Sequence, residues 1–401
     1  MESIKEIYKI GKGPSSSHTM GPKKAAEMFL EKCPEADLYK VFLYGSLAAT
    51  GKGHLTDSTI LNVLKEKHAE IIWEPDVFLP KHPNALKFEA FDSQNNMIRK
   101  WTAYSIGGGS IIDDTDMKEE TEKIYPLTTL NTILEWCNER GKNLWEYVAE
   151  YESDDIWDYL AEVWKVMKDS INHGLENEGT LPGNLNLPRK AASYYIKSKG
   201  YRESLKRRAQ LFAYALAVAE ENAAGGKIVT APTCGSCGVV PAVIYYYQTH
   251  FDFSKVKIYR ALATAGLIGN IVKFNASISG AEVGCQGEIG TACAMASAAG
   301  TQLFGGSIYQ IEYSAEMGIE HHLGLTCDPV DGLVQIPCIE RNAFAAASAL
   351  NDNSFAMLSD GRHRINFDEV VQAMKQTGHD LPNLYKETSG GGLALCNGNK
   401  W

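Results

Sequence analysis

The chain has 401 residues, 44% of them hydrophobic and 22% charged, which is enough apolar material for two buried cores in a soluble protein. A formal net charge of -10 excludes the broad basic surface that a nucleic-acid partner requires. The opening MESIKEIYKIGKGP lacks the apolar stretch of a secretory signal, and nine cysteines without such a signal favour reduced thiols in a cytoplasmic protein over a disulfide framework.

Two compositional regimes divide the chain. As far as about Trp145, β-type stretches (YKVFLYGS, LKFEAF, IRKWTAYSI) alternate with helical runs at Pro22 to Lys32 and Asp57 to Lys67, an α+β pattern. Asp57 follows Thr56 and precedes an apolar periodic run, so it reads as a helix N-cap, with TGKGH as the loop before it. Beyond the acidic ESDD stretch the sequence predicts helices at Asp154 to Ile171, Arg202 to Ala224, Val239 to His250, Ser254 to Phe274, Gly287 to Leu303, Ile308 to His321 and Asp368 to Gln376. Their many Ala, Gly and Ser residues allow close helix packing. The expected organisation is therefore an N-terminal α+β domain over 1–152 and a mostly helical domain over 153–401. Ile228 to Tyr247 carries no charge and approaches the length of a membrane span, but Pro232, Pro241 and its small polar residues mark a buried loop and helix instead.

Cys285 in GAEVGCQGEIG, Cys327 in LGLTCDPV and Cys338 in QIPCIERN each sit in a turn-like, charge-poor context. Iron–sulfur clusters are normally held by four thiolates, and three protein thiolates leave one iron free to act as a Lewis acid on a substrate oxygen. Intervals of 41 and 10 residues match no short zinc or ferredoxin signature, so spacing alone does not carry this reading, and buried structural cysteine is common. Cys234 and Cys237 form a C-x-x-C without a second pair at zinc-like spacing, and Cys33, Cys137 and Cys293 read as structural.

Whole blocks of the sequence resemble the iron–sulfur-dependent L-serine dehydratases: IGKGPSSSHTMGPKKAAEMF, LYGSLAATGKGHLTD, NASISGAEVGCQGEIGTACAM, EHHLGLTCDPVDGLVQIPCIERNA and KETSGGGLAL. The resemblance implies a [4Fe–4S] cofactor on Cys285, Cys327 and Cys338, L-serine as substrate, an N-terminal domain like an allosteric-substrate-binding fold, and a homodimer. It also places a general base at His54, whose neutral imidazole suits proton abstraction near neutral pH; without the resemblance His54 reads as a solvated loop residue or a cap. The run Ser15, Ser16, Ser17, His18 and Thr19 precedes a helix start, where backbone N–H groups favour an anion such as the substrate carboxylate, or where the hydroxyls simply cap the turn. Thr233, Gly235, Lys273, Asn275 and Ser277 are candidates for the pocket wall and equally for packing. Some relatives place a cysteine at the C-terminus that reaches the open iron. Here Cys396 is followed by NGNKW, and it is the candidate for a displaceable fourth ligand.

Competing mechanisms fit less well. A pyridoxal-phosphate dehydratase needs a Schiff-base lysine motif and a glycine-rich phosphate cradle, which are not found, so pyridoxal phosphate is not expected. Gly45 and Gly51 with Lys52 do not have P-loop spacing. Elimination from another amino acid such as cysteine, and a non-catalytic iron–sulfur sensor, remain alternatives.

Overall fold

The computed structural model describes residues 1–65, 67–113 and 122–396. Strand β1 (Ile10–Lys12) leads through a π-helical turn at Ser16–Met20 into α1 (Gly21–Lys32). There follow β2 (Leu38–Tyr44), α2 (Gly45–Thr50), α3 (Thr56–Val63), β3 (His68–Glu74), β4 (Ala85–Phe91), β5 (Met97–Ser105) and β6 (Ile111–Asp113). The last five strands form one sheet in the order β3-β2-β4-β5-β6, with β2 and β3 parallel and the other neighbours antiparallel.

Alternation explains the packing of this sheet. Tyr39, Val41 and Leu43 of β2 face one side and are fully buried, while Lys40 and Phe42 between them are half-buried. Helix α1 covers the apolar side, where Phe29 stacks on Phe88 with ring centroids 5.1 Å apart and lies parallel to Trp101 at 6.1 Å. Helix α3 starts at Thr56 after Leu55 in left-handed backbone, so Asp57 lies in the first turn rather than at the cap. The helix dipole favours its charge there. Strand β3 is not anticipated by the sequence pattern because it is an edge strand with no fully buried residue, so its alternation is weak.

The rest of the chain is helical: α4 (Leu130–Arg140), α5 (Leu144–Tyr151), α6 (Ile156–Glu176), α7 (Ala191–Ser198) and α8 (Glu203–Ala223), then after strand β7 (Lys227–Val229) α9 (Val239–Phe251), α10 (Lys255–Asn275), α11 (Gly280–Val283), α12 (Thr291–Leu303), α13 (Ile308–Glu320), α14 (Cys338–Leu358) and α15 (Phe367–Asp380). Every residue of α12 except Gln302 is buried, because α9, α10, α13 and α14 surround it. Small residues set these distances. A Cβ on Gly318 would lie 2.5 Å from Ala294 N, and one on Gly174 2.3 Å from Ala217 O, closer than any real contact. The charge-free run at 228–247 divides into β7, a loop and α9, and no described helix is long and apolar enough to cross a membrane.

The architecture is thus mixed α+β, with two main cores. One lies between the five-stranded sheet and α1 and α3. The other fills the helical part and also takes in Met1, Ile4, Ile7 and Tyr8 together with α4 and α5, all of which precede the acidic stretch in sequence. Glu152 shows why these parts belong together: its carboxylate accepts from Ile4 N (2.8 Å), Ser3 Oγ (2.8 Å) and the Tyr125 hydroxyl (2.7 Å). Strand β1 adds a second tie by pairing antiparallel with β7, Ile10 opposite Val229.

A buried ion network steadies the helical part. Glu221 on α8 takes Arg189 Nη1 and His173 Nδ1 at 2.5 Å each and Asn177 Nδ2 at 3.0 Å. Burial pushes this carboxyl up, but the three partners outweigh it and hold it below its ordinary 4.5. A depressed carboxyl contributes stability that is complete above its unfolded pKa and drains as pH falls below it. Glu221→Gln should therefore lower stability at pH 7 by about 3 kcal/mol, because Arg189 is left without its counter-charge. Urea unfolding should show the gap between wild type and variant closing as pH falls below about 4.

Candidate active site

The three cysteines, far apart in sequence, open on one cavity that Pro14, Ser15, His54, Gly235, Glu288 and Glu387 also line. Cys285 precedes a π-helical turn that runs into α12, and Cys338 is the first residue of α14. Two helix N-termini therefore face the sulfurs, an arrangement that favours thiolate. Cys327 is carried by an extended segment: its N–H donates to Tyr385 O at 2.7 Å and its carbonyl accepts from Thr388 N at 3.2 Å. That pairing also brings the KETSG segment alongside the cysteines.

Fit to a cluster can be judged from the donor set. Cys285 and Cys327 hydrogen-bond each other, and the free volume of the cavity they line is about 20 Å³. That hydrogen bond and the Arg341 guanidinium hold the Cys285 thiol at about 6 against the opposing effect of burial. Arg341 is itself fixed by donating to Thr326 O at 2.7 Å. Three soft sulfur donors, one with its thiol pKa lowered, beside the half-buried Arg341 guanidinium match what an iron–sulfur cluster needs from a protein. Space beside them is kept by glycine. A Cβ on Gly280 would lie 2.9 Å from Glu288 Oε2 and 3.0 Å from Cys327 Sγ. Gly280→Ala should fold but lose most of its cluster, measured as iron and sulfide per chain after anaerobic reconstitution.

His54 lines the same cavity, and His18 lies beside it. The rings of His18 and His54 are 4.5 Å apart between centroids, and ligand-type atoms of His18, His54 and Glu387 lie within 4.8 Å of one another. Main-chain contacts lock the loops together: Thr19 Oγ1 donates to His54 O (2.7 Å) and Thr56 Oγ1 to His18 O (2.6 Å). Burial, with His18 beside it, holds the His54 imidazole at about 3, so it is neutral at physiological pH. Its Nδ1 is buried without a partner. Burial pushes the Glu387 carboxyl up, but His18, His54 and His82 together bring it to about 2, so it is ionised. Burial raises Glu288, which accepts from Thr233 Oγ1 at 2.7 Å.

The remaining candidates divide clearly. Ser15 lines the cavity, and its hydroxyl accepts from His18 N at 3.0 Å. Ser16 and Ser17 are buried in the turn beside it, and Thr19 accepts from Ser15 N at 3.1 Å. Gly235 lines the cavity, and Thr233 reaches it only through Glu288. Lys273 pairs with Glu2 at 2.7 Å, and Asn275 donates to Thr128 O at 2.6 Å, so both serve packing at the end of α10. Ser277 bonds Glu282 and lines a larger pocket of about 570 Å³ that shares Glu387 with the cavity. Cys396 is exposed and outside the cavity; the turn before it is tied down by Leu393 N donating to Asp328 Oδ2 at 2.8 Å. Cys234 and Cys237 flank Gly235 but do not line the cavity themselves; both are buried, their thiols raised by burial. Sequence reasoning missed Glu288, Arg341, Ser46 and Glu387. All lie inside blocks already singled out, and a carboxylate amid the glycines and apolar residues of GEIG was the available signal.

A cavity lined by thiols, a neutral imidazole and buried carboxylates is suited to holding a metal and to moving a proton. Comparison with known proteins gives the family. Residues 84–394 match the family described as serine dehydratase alpha chain, and residues 3–73 the serine dehydratase beta chain. The chain belongs to the serine dehydratase family, the iron–sulfur type, and is accordingly a lyase. Among its relatives, the L-serine dehydratase of Streptomyces coelicolor is 40% identical over 98% of both chains. L-serine dehydratase 1 of Escherichia coli K12 is 40% identical over 98% of this chain and 99% of its own. The Haemophilus influenzae L-serine dehydratase is 39% identical over 99% of this chain and 100% of its own.

Proposed function

We propose that this chain is an L-serine ammonia-lyase in which Cys285, Cys327 and Cys338 hold a [4Fe–4S] cluster and His54 is the general base, giving pyruvate and ammonia without pyridoxal phosphate. The observation that carries the reading is the opening of three thiols and His54 onto one buried cavity. When bound, such a cluster supplies an iron lacking a protein thiolate, a Lewis acid for the β-hydroxyl.

The protein's own residues account for the rest. The turn at Ser15 to Thr19 offers backbone N–H groups and hydroxyls to the substrate carboxylate at a helix start. Neutral His54 takes the proton from Cα; the electron pair of that bond forms the Cα–Cβ double bond, and the Cβ–O bond breaks. The hydroxyl leaves as water by taking the proton that His54 accepted, which returns His54 to its neutral form. The enamine product tautomerises to the imine, which takes up water and gives pyruvate and ammonia. Burial of the cavity keeps bulk water from competing for the α-proton.

The homodimer, the cytoplasmic location and the likeness of the sheet-bearing unit to an allosteric-substrate-binding fold belong to the same proposal. Anaerobic purification with iron and sulfide analysis and a pyruvate assay on L-serine tests it. A brown protein that forms pyruvate and bleaches in air is expected. A colourless preparation that is fully active and contains pyridoxal phosphate would overturn the reading.

A further inference from the structure

Glu387 occupies an unusual position. It lies in left-handed backbone (φ 47°), on a segment whose neighbours pair with Cys327, and its side chain is aimed back at the histidines. Its Oε1 stands 3.0 Å from His18 Nδ1, while Oε2 is buried without a partner. The other side of His18 is closed by the same residue through an intermediary. Ser46 Oγ donates its only hydrogen to the Glu387 carbonyl at 2.9 Å, so at 3.1 Å from His18 Nε2 it can act only as acceptor. Nε2 therefore carries a hydrogen. On the other side of the ring the Glu387 carboxylate faces Nδ1 at ion-pair distance, 3.0 Å, without the alignment of a hydrogen bond. His18 is thus clamped at both nitrogens by residue 387, once through the carboxylate and once through Ser46.

The consequence reaches His54, whose ring leans on His18 at 4.5 Å and whose Nδ1 has no partner of its own. We propose that Glu387 is the positioning residue of the histidine pair: it orients His18 against His54 and sets a fixed negative charge where His54 becomes positive on taking the substrate proton. The proposal rests on the reading of His54 as the base. A buried carboxylate behind an imidazole fixes ring orientation and tautomer and supports the imidazolium, and loss of that support affects the proton-transfer step more than binding.

The test uses anaerobically prepared holoenzyme labelled with ¹⁵N-histidine, as wild type, Glu387→Gln and Ser46→Ala. Glu387→Gln should keep its cluster absorbance and bind serine with KM within about threefold, while kcat falls roughly 10²-fold. With α-deuterated serine the isotope effect on kcat should rise, because proton abstraction becomes slower than the steps that follow. The ¹⁵N signals of the His18 ring should shift when the carboxylate facing Nδ1 is lost, a readout independent of turnover. Unchanged kcat, isotope effect and ¹⁵N signals in Glu387→Gln would overturn the proposal and leave the base reading standing. Full activity in His54→Ala would instead overturn the base reading, with the His18 signals still reporting on Glu387. Where Glu387→Gln loses the cluster, Ser46→Ala decides: a fall in kcat at constant KM with altered His18 signals upholds the clamp, and wild-type values for all three overturn it.

Discussion

Replacing any one of Cys285, Cys327 or Cys338 by Ser should abolish both the brown colour of the anaerobic protein and pyruvate formation, with no measurable residual activity. The three sulfurs are brought together by unrelated elements: a turn into α12, an extended segment paired with 385–388, and the first residue of α14. No described cysteine close by can substitute. Cys293 is buried in α12, where its thiol faces Ser297 and Asp352, and Cys234 contacts Met20. Serine is nearly isosteric but its hydroxyl is a hard, weakly acidic donor, so it does not replace a thiolate on iron. Loss of all activity from a single ligand also follows if the Lewis acid is indispensable, because hydroxide is a poor leaving group. The matching controls are Cys234→Ser and Cys237→Ser, which should retain colour and turnover. Iron and sulfide content, visible absorbance and pyruvate formation measure the outcome. A serine variant at any of the three ligands with normal iron content and turnover would remove that residue from the site.

The helical part was readable in the sequence because its elements are long and carry a consistent apolar period. Helices α8 and α10 fall within a residue or two of their expected ends. Helix α14 escaped notice, since Asn342, Asp352 and Asn353 interrupt its apolar run, and these polar residues turn out to be buried and bonded to neighbouring elements. Such positions are legible only once the partner is known. The packing of Met1 to Tyr8 with α4 and α5 against the helical core was equally hidden, because it depends on Glu152 collecting hydrogen bonds from residues about 150 positions away. Around the cavity, residue types with unusual chemistry stand out in the sequence, and the residues packed against them do not. The cysteines and His54 stand out in a sequence; Glu387 and Ser46 gain meaning only when the chain folds back and places them against His18. Lys273 and Asn275, which the sequence reads equally as pocket wall or packing, pair with Glu2 and the Thr128 carbonyl at the end of α10.

His54→Ala is expected to keep the cluster and near-normal serine binding while lowering pyruvate formation by roughly 10²-fold or more, the usual scale for a lost general base. The structure gives reasons for separating chemistry from assembly in this variant. His54 sits in the loop between α2 and α3, supplied by the sheet-bearing unit, whereas all three thiols come from the helical unit. Its main-chain ties to its surroundings, His54 O accepting from Thr19 Oγ1 and His54 N donating to Thr50 O, do not involve the imidazole and should survive truncation. The ring itself is buried, neutral and unpartnered at Nδ1, an arrangement that is costly for a merely structural histidine and suited to one that awaits a proton. Removing it leaves a water-sized space beside His18, and water there is a far poorer base. A primary isotope effect with α-deuterated serine should therefore become larger in the variant, since Cα–H cleavage then limits the rate. Unchanged turnover, with the cluster intact, would instead remove His54 from the role of base.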